Sequence, residues 1–249
     1  MKIAIITGAA RGIGYGIATC LARKGAKIVI ADMNGEAAKA SAVALGKETG
    51  VETLGLACDI TQRPQVEALV QQTIQRFGQI DILVNNAGIC PFVDIMEMSE
   101  SMFKKTIDIN LNGAFHCTQL VAKEMIARQI QGRIIFITSL AANVTGAAQG
   151  DYAASKAGLH MLMKAFAIAL GPKGITCNAV APGMILTDMT KFHWDKPENA
   201  AFIKQRVPVG RIGTPDDIGH AVTLLCADEA AYINGIGIIV DGGHQAVCA

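Results

Sequence analysis

The chain has 249 residues, 51% of them hydrophobic and 5% aromatic, with a formal net charge of +1. That supply of apolar side chains is ample for a large core, and the near-zero charge excludes the basic footprint of a nucleic-acid-binding protein. No apolar run approaches the roughly 18 residues of a membrane span, and the seven scattered cysteines (Cys20, Cys58, Cys90, Cys117, Cys177, Cys226, Cys248) form no CxxC pair, so no zinc site or disulfide framework is expected.

The first apolar segment, 2–7, reads as a strand. It is too short for a signal-peptide core and Gly8 breaks it, which points to a soluble cytoplasmic protein. Thr7-Gly8-Ala9-Ala10-Arg11-Gly12-Ile13-Gly14 follows it and opens a helix over 13–24. Glycines in such a turn let backbone N–H groups approach a pyrophosphate, and the helix N-terminus adds partial positive charge. The spacing is GxxxGxG, not the commoner GxGxxG; alone, it also suits a structural turn. A second strand at 27–32 ends on Asp32, 18 residues after Gly14. A carboxylate there can accept hydrogen bonds from ribose hydroxyls and would repel the extra phosphate of NADP. It could equally cap the helix expected at 35–49. Arg11 argues for the phosphate, whereas Met33 adds no second positive charge, so the balance favours NAD.

A strand at 52–59 ends on Asp59, and a helix is expected at 65–77. The strand at 80–85 runs into Asn85-Asn86-Ala87-Gly88, whose small residues and backbone suit a ligand crevice at strand carboxyl ends. One long helix is expected over 100–128, then a strand at 132–139 ending on Ser139. A helix at 152–170 carries Tyr152 and Lys156 four apart, hence on one face. A lysine ammonium beside a phenol favours phenolate and lowers its pKa from ~10, so the tyrosine can exchange a proton near neutral pH. A strand at 175–182 follows, then a polar, irregular stretch at 183–213, read as a substrate loop or lid. The chain closes with a helix at 215–227 and a strand at 237–241. Alternating near-continuous apolar strands and helices predict one α/β domain over 1–249, a doubly wound parallel sheet of about seven strands with helices on both faces.

The ordered set TGAARGIG (7–14), CDI (58–60), NNAG (85–88), INLNG (109–113), Ser139, YAASK (152–156) and APGMILTDM (181–189) resembles the short-chain dehydrogenase/reductase family, in its branch of about 250 residues, over essentially the whole chain. The resemblance implies Tyr152 as general acid/base, Ser139 as hydrogen-bond partner of the substrate oxygen, and Lys156 as modulator of Tyr152 and ligand of the nicotinamide ribose. Asn110 would hold a water in a proton relay through Lys156. Cofactor contacts would come from Gly8, Arg11, Gly12, Ile13, Gly14, Asp32, Met33, Asp59, Ile60, Asn86, Ala87 and Gly88, and from Pro182, Gly183, Ile185 and Thr187 around the nicotinamide. Ala141, Asn143, Gln149 and Trp194 would face the substrate. His193 and His244 stay open, His244 between the pocket, a neighbouring subunit and a plain surface position.

The implied reaction is NAD-dependent interconversion of a secondary alcohol and a ketone, or of a lactol and a lactone, without a metal. A sugar, polyol or sugar-derived acid is the expected substrate. The alternatives are a 3-oxoacyl-thioester reductase, a hydroxysteroid or diol dehydrogenase, and a non-catalytic NAD-binding protein. A homotetramer is the implied assembly.

Overall fold

The structure is a computed structural model that describes residues 1–187, 190–191 and 197–247, the side chains of 197–200 excepted. Seven parallel strands form one sheet: β1 (Ile3–Thr7), β2 (Lys27–Asp32), β3 (Thr53–Ala57), β4 (Ile82–Asn85), β5 (Arg133–Ile137), β6 (Thr176–Pro182) and β7 (Gly237–Val240). Their order is β3-β2-β1-β4-β5-β6-β7. Each expected strand is present; β2 has its expected bounds and the others are trimmed at one or both ends.

The strands are apolar throughout because both faces are covered. Ile5, Val29, Leu83, Ile134, Phe136 and Cys177 point into one core, against α3 (Arg63–Phe77), α5 (Gly113–Ala127) and α6 (Gly150–Leu170). Ala4, Ile6, Ile28, Ile30, Val84, Ile135 and Val180 point into the other, against α1 (Gly12–Arg23), α2 (Gly35–Thr49) and α8 (Pro215–Cys226). The alternation follows from the two-residue period of a strand. A capping box fixes the start of α8, with Thr214 and Asp217 exchanging side-chain and backbone hydrogen bonds. Among the described residues no helix is long and apolar enough to cross a membrane.

Two departures from the sequence reading bear on the site. The helix expected over 100–128 is not continuous: α4 (Glu100–Ile107) passes through a π turn, Asp108–Asn112, into α5. The stretch 183–213 is not irregular throughout, for it contains α7 (Pro197–Arg206), which seats Ile203 and Val207 in the body. Two apolar anchors one turn apart are too few to read as helical periodicity in a polar segment.

Candidate active site

The sheet order reverses between β1 and β4, whose carboxyl ends open the crevice where parallel α/β sheets bind ligands. Asn86 sutures this point. Its Nδ2 donates to the carbonyls of Thr7 and Gly8, both at 2.9 Å. Thr7 Oγ1 accepts from the N–H groups of Asn86 at 3.1 Å and Ala87 at 3.2 Å. The two chain segments approach so closely that a Cβ on Gly8 would lie 2.7 Å from Ala87 Cα, and Gly8 holds φ +62. A Cβ on Gly14 would lie 2.5 Å from Asn86 Nδ2 and 2.6 Å from the Gly8 carbonyl oxygen. Only glycine fits either position.

These features suit a dinucleotide. Helix α1 has neither a side-chain cap nor an acidic residue in its first turn, so its leading N–H groups are open to a phosphate. Asp32 accepts from Ala10 N–H at 3.2 Å and Asn34 N–H at 3.1 Å, which fixes its carboxylate beside the glycine loop. The cap of α2 is Asn34, not Asp32; the Asn34 side chain accepts from Ala37 N–H. Asp59 accepts from the N–H and hydroxyl of Thr61. Arg11, Gly12, Ile13, Met33, Ile60, Ala87, Gly88, Pro182, Gly183, Ile185 and Thr187 line the same cleft. Its volume, about 2290 Å³, exceeds the roughly 300–1,000 Å³ of a site for one drug-sized ligand.

Tyr152, Lys156 and Ser139 meet in the cleft wall. Lys156 Nζ lies 5.6 Å from the centre of the Tyr152 ring and donates to the Ile137 carbonyl at 2.8 Å. Burial pushes the Tyr152 phenol up to about 12, opposed by its hydrogen bond with Ser139. Burial pushes the Lys156 ammonium down to about 8. Desolvation, not the lysine charge of the sequence argument, is the leading influence on the phenol, with Tyr152 partly and Lys156 fully buried.

Asn110 stands behind this wall, only 1% exposed. Its Oδ1 accepts from Ile89 N–H at 2.8 Å, and its Nδ2 donates to the Ile89 carbonyl at 2.9 Å and to Ser155 Oγ at 3.0 Å. The π turn aims this side chain at both segments. Single-turn π distortions often mark functional sites. A Cβ on Gly88 would lie 3.1 Å from Asn110 Oδ1 and 3.3 Å from Lys156 Nζ, so a small residue there lets the two heads sit together.

Of the residues expected to face the substrate, Ala141 and Gln149 line the cleft. Gln149 Nε2 donates to Cys90 Sγ at 3.7 Å. Asn143 ends the short 3-10 turn Leu140–Ala142 with its side chain exposed, and residues 144–148 take the wall instead. Trp194 and His193 lie outside the described residues. The sequence reading missed Cys90 and Phe92, covered Phe202 only within the expected substrate loop, and left His244 undecided; all four line the cleft. The ring of His244 is 2.9 Å from the Arg206 carbonyl. Cys90 and Phe92 lie two and four residues after Gly88 of the Asn85–Gly88 motif, and that nearness was the available signal.

Residues 8–245 match the family model described as enoyl-(acyl carrier protein) reductase. The L-rhamnose 1-dehydrogenase (NAD(P)(+)) of Azotobacter vinelandii is 42% identical over 245 residues, covering 97% of this chain and 96% of that protein. The D-threitol dehydrogenase of Mycolicibacterium smegmatis is 39% identical over 243 residues, covering 98% and 92%. Among solved structures, a 7α-hydroxysteroid dehydrogenase complexed with NADH and 7-oxo glycochenodeoxycholic acid matches with a TM-score of 0.91 at 38% identity, covering 97% and 93%.

Proposed function

The chain belongs to the short-chain dehydrogenase/reductase family and is an oxidoreductase of CH–OH groups; from that premise we propose that it oxidises a sugar or polyol, with NAD as the favoured acceptor and Tyr152 as general acid/base. The observation that carries this reading is the meeting of Tyr152, Lys156 and the Ser139 hydroxyl in the cleft at the sheet's switch point. A bound nicotinamide supplies the acceptance and return of hydride. Everything else is the work of side chains. Ser139 holds the substrate oxygen beside Tyr152 Oη, and Tyr152 Oη takes the hydroxyl proton or returns it to a carbonyl. Lys156 Nζ, poised near neutral pH by burial, passes the proton onward. Asn110 holds the Ile89 segment and α6 in place around these groups.

At neutral pH a phenol held at about 12 carries its proton. Oxidation must pass that proton through Lys156, which can accept it only when uncharged, so oxidation should accelerate as pH rises through about 8, and ketone reduction should slow. A pH profile in which both directions rise together would remove Tyr152 and Lys156 from the proton path.

Two names among the relatives, rhamnose and threitol, support a polyhydroxylated substrate, and Gln149 is a polar group placed to meet hydroxyls. Asp32 supports NAD; exposed Arg11 at the loop speaks for some NADP use. A second reading, a hydroxysteroid or diol substrate, has its own support in the apolar wall formed by Phe92, Val144, Phe202 and the alanines at 141, 147 and 148. The deciding experiment follows NAD and NADP reduction against sugars, polyols, sugar acids, diols, steroids and hydroxyacyl thioesters. Turnover of steroids or thioesters alone would discard the sugar assignment. A homotetramer is proposed with the same enzyme, supported by the edge strand β7 with Ile239 and the adjoining Ile236, and by the exposed Ile168, Leu224 and Tyr232. Light scattering of the purified chain tests it, and a monomer mass would refute it.

A further inference from the structure

The start of α6 is held by a bond that the reaction chemistry does not require. Asp151, beside Tyr152, is 0% exposed although it is a carboxylic acid. Its Oδ1 accepts from the Tyr152 N–H at 2.7 Å, and its Oδ2 accepts from Thr106 Oγ1 of α4 at 2.6 Å. Thr106 is also fully buried. Helix α6 has no side-chain cap at Gln149, so the Asp151 carboxylate takes over one of the open N–H groups of the first turn.

A second bond repeats the pattern one turn along. Asn110 Nδ2 of the π turn donates to Ser155 Oγ of α6 at 3.0 Å, and Ser155 Oγ donates to the Tyr152 carbonyl at 2.6 Å. Both cross-links join residues 45 apart in the chain. Thr106 and Asn110 are four apart, as are Asp151 and Ser155, so α4 with its π turn and α6 are tied by two buried rungs in step. Tyr152 sits between the rungs, gripped at its N–H from one and at its carbonyl from the other. A buried polar group stays at such a place only when satisfied, and satisfied networks fix one geometry.

We propose that Thr106 and Asp151 are positioning residues for Tyr152, which together set the rotation of the first turn of α6 and so the direction of the phenol toward Ser139 and the substrate oxygen. This rests on the reading of Tyr152 as the proton-transfer group. Asp151 touches neither substrate nor cofactor in this scheme; it acts through the backbone N–H of Tyr152. Thr106 acts one step further back, by anchoring the carboxylate to α4.

The test uses the full-length enzyme, NAD and whichever sugar or polyol of the substrate panel turns over fastest. Thr106→Val keeps the shape and removes the O–H donor; Thr106→Ser keeps the donor. A small misplacement of a reacting group costs on the order of 10²-fold in rate, so Thr106→Val should lose about that much in kcat while KM and the dissociation constant for NAD stay within about twofold. Thr106→Ser should recover most of the loss. Asp151→Asn should fall between, because its amide oxygen can still accept from Tyr152 N–H while the Thr106 hydroxyl turns to accept from Nδ2; it also serves if the valine variant fails to fold. An unchanged kcat in Thr106→Val and Asp151→Asn would overturn the proposal. So would an equal fall in kcat, NAD affinity and melting temperature that serine fails to rescue, which marks a merely structural bond. Tyr152→Phe, run alongside, separates the two layers. If it keeps turnover, the tyrosine assignment and the proposal fall together. If it is silent while Thr106→Val is fully active, only the positioning role falls.

Discussion

The two halves of the cleft are built from different materials. Around β1, α1 and β2 the wall is largely backbone: glycines without a Cβ, an uncapped helix end, and a carboxylate whose bonds run to main-chain N–H groups. Around α4, the π turn and α6 the wall carries Tyr152 and Lys156, backed by a set of buried side chains, Thr106, Asn110, Asp151 and Ser155, bonded to one another or to nearby backbone. The first half needs empty space in the right place, and most of its residues lie within one short segment. The second needs particular functional groups brought together from several segments. The difference predicts which property each half should lose on mutation: binding from the first, turnover from the second.

The largest expected effect lies in the second half. Tyr152→Phe should lower kcat on the order of 10²–10⁴-fold while NAD still binds; calorimetry showing lost NAD affinity would erase the division of labour. Gly14→Val is its mirror. Its side chain would drive into Asn86 and the Gly8 carbonyl, so NAD affinity should drop more than tenfold, with a stability cost of ~1–3 kcal/mol from overpacking. A normal dissociation constant would mean that the loop relaxes freely.

Lys156→Met sharpens the comparison through pH. The unfolded chain keeps the lysine proton up to about 10.5, the folded protein only to about 8. Between those values the unfolded state binds more protons, so wild-type stability rises with pH, by at most ~3 kcal/mol. The methionine variant lacks that rise. Urea melts at neutral pH and near the upper limit should therefore show wild type gaining on the variant; parallel curves would deny that Lys156 is held charged at a cost. The smallest effect belongs to Asp32→Ala, which should shift the NAD to NADP preference toward NADP, by about tenfold if one carboxylate–phosphate repulsion of ~1.4 kcal/mol is removed. An unchanged ratio would leave Arg11 and Met33 as the residues that decide it.

Legibility in the sequence followed the same division. The strands were readable because burial on both faces leaves a plain apolar run, and the glycine loop because its constraint is local. Tyr152 and Lys156 were readable from helical spacing. The break in the 100–128 helix was not, since Asn110 is turned by bonds to Ile89 and to Ser155, far away in the chain. Asp151 drew no reading, lying one residue before the helix expected at 152–170; its burial against Thr106 exists only once α4 and α6 are packed. That Asn143 is exposed outside the cleft lining was not readable, because family spacing says nothing about how the 3-10 turn after Ser139 faces it.

The interior position of β1, between β2 and β4, also has a consequence on the ribosome. One edge of β1 pairs with β2, which follows it closely, but the other waits for β4, with Ala4 beside Ile82. At ~5–20 residues per second, ~4–15 s of synthesis separate those partners. Throughout that interval a strand that will lie inside the sheet has one open edge, with Ile5 and Ile6 still without their β4 partners Leu83 and Val84. Nascent chains stalled between β3 and β4 should therefore be the ones that recruit chaperones, and the opening of the cleft can form only when that wait ends.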